Sequence, residues 1–195
     1  MKLHFTSREE YKKKQKSQFV ISLLERLKNP YVIPEGGSNL PGLKGCQEII
    51  QDIDFDIVIC ACGTGSTLSG IISSLQVNQF AIGVSVLKGG SFLEKEINEN
   101  LLLLKSDNTN WKLETNFHLG GYAKYNFDLF QFIKAFWKEY SIKLDPIYTG
   151  KAMFGLYKLI ESGELKGKKI RFIHTGGLQG IQGFENRYNL KLFQK

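Results

Sequence analysis

A chain of 195 residues with an apolar share of 42% fits one domain with a real hydrophobic core, and it contains no low-complexity segment. Its longest apolar runs fall well short of a membrane span, and the opening "MKLHFTSREEYKKK" has no apolar stretch before a small-residue cleavage site, so neither a transmembrane nor a secretory segment is expected. The net charge of +7 (26 basic against 19 acidic side chains) is densest at "YKKKQK", which reads as a solvated helix face, because no recognisable nucleic-acid module accompanies it.

In chain order, "KLHFT" predicts a short strand. Ser7 with Glu10 three residues on forms a capping-box pattern, opening one helix through "YKKKQKSQFVISLLERLK". "NPYVIPEGG" reads as a short strand ending in a turn. "SNLPGLKGCQEIIQDI" reads as a loop entering a helix, with Pro41 suited to the first turn. The buried strand "FDIVICAC" runs into the glycine loop "GTGST", then a helix around Leu68 to Leu75 and the strand "FAIGVSVL". "GGSFLEKEINENLLLL" is helical after its glycines, and "NWKLETNFHLGGYAKYN" is irregular. Two amphipathic helices follow, "FDLFQFIKAFWKEYS" and "IYTGKAMFGLYKLIESG", the second capped by Gly163. "KKIRFIHTGG" is the last strand. Continuous apolar strands alternating with helices predict an α/β fold, a parallel sheet with helices on both faces, as a single unit over residues 1–195.

The three cysteines (Cys46, Cys60 and Cys62) are an odd number without zinc-like spacing. No metal site is expected, and a reducing, cytoplasmic setting is. Cys60 and Cys62 share a strand face and read as small core residues. His174, in the strand "IRFIHTGG", reads as a buried, hydrogen-bonded structural histidine. His4 and His118 show no partner pattern.

Parallel α/β sheets bind ligands at the carboxyl ends of their strands, where a helix N-terminus suits a phosphate. Gly63 and Gly65 let backbone approach such a ligand, and Thr64, Ser66 and Thr67 add hydroxyls. The loop is not a nucleotide P-loop, since Ile71 and Ile72 follow Gly70 where Lys and Ser or Thr are required. Nor is it a dinucleotide fingerprint, because Leu68 occupies the third small position. Taken alone, it is also compatible with a glycine-rich turn that binds nothing.

Three other stretches flank this loop in order: "YVIPEGGSNLPGLKG", "DPIYTGKAMFGLYKLIESGE" and "IHTGG". Together the four resemble the D-cysteine desulfhydrase and 1-aminocyclopropane-1-carboxylate (ACC) deaminase family of pyridoxal-phosphate enzymes, over about Leu3 to the C-terminus. The resemblance implies an incomplete tryptophan-synthase-β-like fold with pyridoxal 5′-phosphate as cofactor. It implies that Gly63, Thr64, Gly65, Ser66 and Thr67 hold the cofactor phosphate and that Tyr148 sits at the substrate and cofactor ring. Thr149 and Thr175 match two positions that separate the branches. ACC deaminases have Glu and Leu there, and desulfhydrase-like members have Thr at both, as here.

The implied reaction is α,β-elimination or deamination of a small amino acid. The family's Schiff-base lysine lies in a stretch like G-N-K-x-R-K followed by Ser-Asn, and no such stretch occurs in this sequence; Lys151 belongs to a different motif. The chain therefore resembles the C-terminal part of such an enzyme and is expected to be inactive alone. A separately encoded N-terminal half is the implied partner, and a homodimer the family's habit. A degenerate remnant that binds a phosphate ligand without chemistry is the alternative. Either way, a sheet without its neighbours is expected to expose an unpaired strand edge.

Overall fold

The computed structural model describes residues 2–193, which fall into two compact units, residues 2–33 and 34–193. In the first, the Ser7 hydroxyl caps helix α1 (Arg8–Lys12) by accepting from the Glu10 amide at 3.1 Å. The Glu10 carboxylate does not complete the box; it accepts instead from the Ser17 hydroxyl at 2.7 Å and from Lys13 Nζ at 2.8 Å. The single long helix expected here is interrupted. Lys14 takes a left-handed φ of 49°, a 3₁₀ turn covers Lys14–Lys16, and Ser17 caps a second helix, α2 (Gln18–Glu25). A second N-cap serine inside the apolar pattern offers the backbone a new start, and that wins over periodicity. Neither "KLHFT" nor residues 31–34 form a strand, since neither finds a ladder partner among the described residues.

The second unit opens with a 3₁₀ turn, Glu35–Gly37, in which Gly36 and Gly37 both have positive φ. Asn39 then caps α3 (Leu40–Gln47), with Pro41 in its first turn as expected. The remaining elements are β1 (Ile57–Cys62), α4 (Ser66–Ser73), β2 (Phe80–Ser85), α5 (Phe92–Leu103), β3 (Trp111–Glu114), α6 (Phe127–Tyr140), α7 (Thr149–Glu161), β4 (Ile170–Ile173) and α8 (Ile181–Tyr188). The four strands form one parallel sheet in the order β3-β2-β1-β4, with Cys60 opposite both Gly83 and Ile173. The sequence predicts an irregular segment at β3. It is four residues long, and its pairing with Ala81–Val84 makes it a strand where its own composition does not.

Helices cover both faces, as the apolar runs require. Val58, Cys60 and Cys62 of β1 pack with Leu68 and Ile71 of α4 and Ile97 of α5. Ile57, Ile59 and Ala61 point the other way, onto Ala152, Leu156 and Leu159 of α7. A third cluster joins Leu129, Ile133 and Phe136 of α6 to Phe184 of α8. Cys60 and Cys62 are core residues, their thiols pushed well up by burial. The outer side of β4 pairs with no strand among the described residues, leaving Phe172 and Ile173 half-buried at that edge. No described helix is long and apolar enough to cross a membrane.

The α3 and α4 helices approach closely at Gly70. A Cβ built there would lie 2.3 Å from Cys46 Cβ and 2.8 Å from the Leu43 carbonyl oxygen, so the contact cannot be relieved by a rotamer change alone. Gly70→Ala is expected to lower the unfolding free energy by about 1–3 kcal/mol, as overpacking does. Gly45→Ala, with open space around its Cβ, is the control that should lose nothing in a urea titration.

Candidate anion-binding site

β1 is joined through α4 to β2 on one side, while its other neighbour, β4, arrives from α7 on the opposite face. The order of strands reverses there, and the carboxyl ends of β1 and β4 border the crevice in which such sheets bind ligands. The glycine loop leaves β1 at that point. Gly65 turns it with a φ of 82° and is the N-cap of α4, with no side chain capping the helix. Among the described residues, no protein group accepts from the amides of Ser66, Thr67 and Leu68. Three amides, the positive end of a helix dipole and the hydroxyls of Thr64, Ser66 and Thr67 form a donor set suited to a phosphate monoester. The Thr64 and Ser66 hydroxyl oxygens lie 3.1 Å apart.

The loop is held from beneath by residues that no motif indicated. The fully buried Ser69 hydroxyl donates to the Gly65 carbonyl at 2.8 Å and accepts from Asn100 Nδ2 of α5 at 3.2 Å. In sequence, Ser69 and Asn100 look like ordinary polar residues of a helix; only their burial and their bond to each other set them apart.

The structure brings the four separate motifs together. A Cβ on Gly36 of "PEGGSN" would lie 2.4 Å from Thr64 Oγ1, so this turn sits directly against the loop. A Cβ on Gly63 would lie 3.1 Å from Tyr148 Cε1, which places the "IYTGK" tyrosine over the loop's first glycine. A Cβ on Gly177 of "HTGG" would lie 2.7 Å from Asp145 Oδ2, which seats that turn on the start of "DPIYTGK". At Gly36 and Gly177, which also have positive φ, the approach requires glycine, and at Gly63 the Tyr148 ring would have to give by a few tenths of an ångström.

Asp145 anchors this assembly. It is fully buried; Oδ1 accepts from the amides of Ile147 (2.9 Å) and Tyr148 (2.8 Å), and Oδ2 from the amide (2.8 Å) and hydroxyl (2.6 Å) of Thr149. The Thr149 hydroxyl also accepts from the Asp145 amide at 2.9 Å. Its proton is therefore committed to the carboxylate, and the fully buried Thr149 is a neutral group with no donor to spare. Asp-Pro ahead of a helix was the available signal for Asp145, as a carboxylate at a helix N-terminus.

Tyr148 is half-buried, and its phenol is pushed well above the usual tyrosine range by burial, by its hydrogen bond with Tyr122 and by the nearby Asp145 and Glu35 carboxylates. Tyr122 meets it edge-on, with ring centroids 6.0 Å apart. Tyr122 belongs to the stretch that the sequence reads as irregular and carries no motif. Thr175 lies exposed just past β4. His174 is hydrogen-bonded as expected but exposed rather than buried: Nδ1 accepts from the Gly176 amide at 3.2 Å and Nε2 donates to the Lys143 carbonyl at 2.8 Å. As an edge strand, β4 leaves its end uncovered. Among the described residues, no group of three or more His, Cys, Asp or Glu could hold a metal ion.

The profile of a family described as "Pyridoxal-phosphate dependent enzyme" matches residues 3–176. A putative 1-aminocyclopropane-1-carboxylate deaminase of Pyrococcus horikoshii is 34% identical over 167 residues, covering 78% of this chain and 51% of that protein. The mitochondrial bifunctional D-cysteine desulfhydrase/1-aminocyclopropane-1-carboxylate deaminase of Arabidopsis thaliana is 32% identical, covering 92% and 50%. The D-cysteine desulfhydrase of Klebsiella pneumoniae is 33% identical, covering 78% and 52%. The crystal structure of an ACC deaminase homologue superposes with a TM-score of 0.77 at 30% identity, over 96% of this chain and 62% of that one. The chain thus spans about half the length of the relatives it matches.

Proposed function

The chain belongs to the pyridoxal-phosphate dependent enzyme family, and on that premise we propose that it forms the phosphate-binding side of a D-cysteine desulfhydrase-like active site. The reaction is α,β-elimination or deamination of a small amino acid, in the cytoplasm. The observation that carries this reading is the open donor set at the start of α4, with Tyr148 and the "HTGG" turn gathered beside it. Pyridoxal phosphate, when bound, supplies an electron sink for bond cleavage at the substrate α-carbon.

The chain's own residues do the rest. The amides and hydroxyls of Gly63, Thr64, Gly65, Ser66 and Thr67 bind the phosphate. Tyr148 keeps its proton across the physiological range and offers that O–H to the ring or substrate. Thr149 and Thr175 present neutral groups, which favours the desulfhydrase branch. A glutamate at 149 would set a second carboxylate beside the buried Asp145. The lysine that holds the cofactor covalently is supplied by residues outside these 195, so this chain alone is inactive.

The test is a titration of the purified chain with pyridoxal phosphate and with pyridoxal, followed by borohydride reduction and peptide mass mapping. Pyridoxal phosphate should bind at least about tenfold more tightly than pyridoxal, in line with a few charge-assisted hydrogen bonds, and be displaced by inorganic phosphate. Reduction should trap no single lysine. Stoichiometric trapping on one lysine would overturn the assignment of that role to a segment outside these residues.

A second reading, a phosphate-binding remnant without chemistry, is favoured by one observation. Lys151, the buried lysine of the site region, spends its ammonium on two backbone carbonyls. Elimination activity restored by adding the N-terminal half of a relative would reject that reading.

A further inference from the structure

The segment between β3 and α6 is an unusual piece of backbone. Leu119 (φ 49°), Gly120 (95°), Gly121 (107°) and Ala123 (52°) all take left-handed conformations, two of them in residues with a side chain. Such conformations persist only where the surroundings enforce them. The carbonyls that bracket the first three belong to His118 and Gly121. Both point at one atom: Lys151 Nζ donates to the His118 carbonyl at 2.7 Å and to the Gly121 carbonyl at 2.6 Å. Lys151 is fully buried in the first turn of α7, three residues after Tyr148. Its ammonium makes no ion pair among the described residues; burial pushes its pKa down to about 8, with the Asp145 carboxylate acting against that shift. The next residue after Gly121 is Tyr122, whose ring meets Tyr148.

We propose that Lys151 is a positioning residue: its ammonium clamps the 118–121 turn and thereby sets Tyr122 against Tyr148. The apolar part of the same contact is separate. Phe117 packs on α7 where a Cβ at Gly155 would lie 2.9 Å from its ring, so the loop would stay attached to the helix without the ammonium. What the ammonium adds is the path of the chain between the two carbonyls. A neutral isostere leaves both oxygens without that donor, and the left-handed run then relaxes. The bearing of this clamp on catalysis rests on the reading of Tyr148 as a site residue; the clamp itself does not.

The test therefore reads the loop directly in the full chain, without cofactor. In Lys151→Met, hydrogen exchange of the Gly120, Gly121 and Lys124 amides should speed up at least about tenfold, while the β1 and β2 amides stay within about twofold. In Lys151→Ala, added ethylammonium should restore protection, and an uncharged alcohol of the same size should not. A Met variant as protected as the wild type would show that the stem packs and the charge positions nothing, overturning the proposal. Should the variants not fold, the wild-type chain decides it. A through-hydrogen-bond correlation from Lys151 Nζ to the carbonyl carbons of His118 and Gly121 is expected, and its absence would sink the clamp. Because no arm uses pyridoxal phosphate, a chain that fails to bind the cofactor leaves these outcomes unchanged.

Discussion

Asp145→Ala is expected to lower the unfolding free energy by about 3–5 kcal/mol, because it strips the acceptor from several donors at once and each buried donor left unsatisfied costs about 1–3 kcal/mol. The carboxylate accepts from four donors at 2.6–2.9 Å, three of them amides at the start of α7, and both donors on Thr149 are fully buried. Alanine leaves all four unpaired at once. It also removes the one carboxylate that supports the Lys151 ammonium, whose pKa should fall further below its present value. Asn offers one oxygen in place of two, so Asp145→Asn should lose less than alanine does. Urea denaturation of the three proteins measures this. A loss under about 1 kcal/mol for alanine would mean the first turn of α7 is held by packing, and that Asp145 is not the anchor described above.

The second large effect is on ligand binding. Gly65→Val is expected to weaken pyridoxal phosphate at least about tenfold while leaving pyridoxal nearly unchanged, so the preference for the phosphorylated form collapses. Gly65 has a φ of 82°, which a β-branched residue avoids, and even a Cβ alone would lie 2.9 Å from Ile97 Cγ1. The loop must therefore move, and with it the amides of Ser66, Thr67 and Leu68, which converge only while Gly65 keeps its turn. Both ligands are titrated against both proteins. Equal weakening of pyridoxal and pyridoxal phosphate would point to general unfolding of the site. Unchanged binding of pyridoxal phosphate would mean that its phosphate lies elsewhere.

These two sites show how unevenly the molecule can be read from its residues. The parallel α/β fold follows from runs such as "FDIVICAC" and "FAIGVSVL", because a strand buried on both faces must be apolar throughout. The glycine loop was legible for a similar local reason: a positive φ and a close approach of backbone demand glycine wherever the loop is placed. Family membership and the cofactor were likewise carried by four short motifs whose residues are constrained one by one.

Other features depend on partners distant in sequence. β3 exists because β2 offers it a ladder, and the first helix breaks because Ser17 captures the chain again. Tyr122, Ser69 and Asn100 have ordinary local contexts, and the Asp-Pro signal at Asp145 does not show its partners; these residues matter through Thr149, Tyr148 and Gly65, reached across turns of helix or across the sheet. Lys151 was visible within its motif, but its surroundings were not: only the fold brings two carbonyls 30 and 33 residues away onto its ammonium. The sequence by itself thus determined the class of sheet, the loop that suits a phosphate and the family. The tertiary structure alone decided which side chains hold that loop in place, because burial and hydrogen-bond geometry depend on neighbours that no local pattern records.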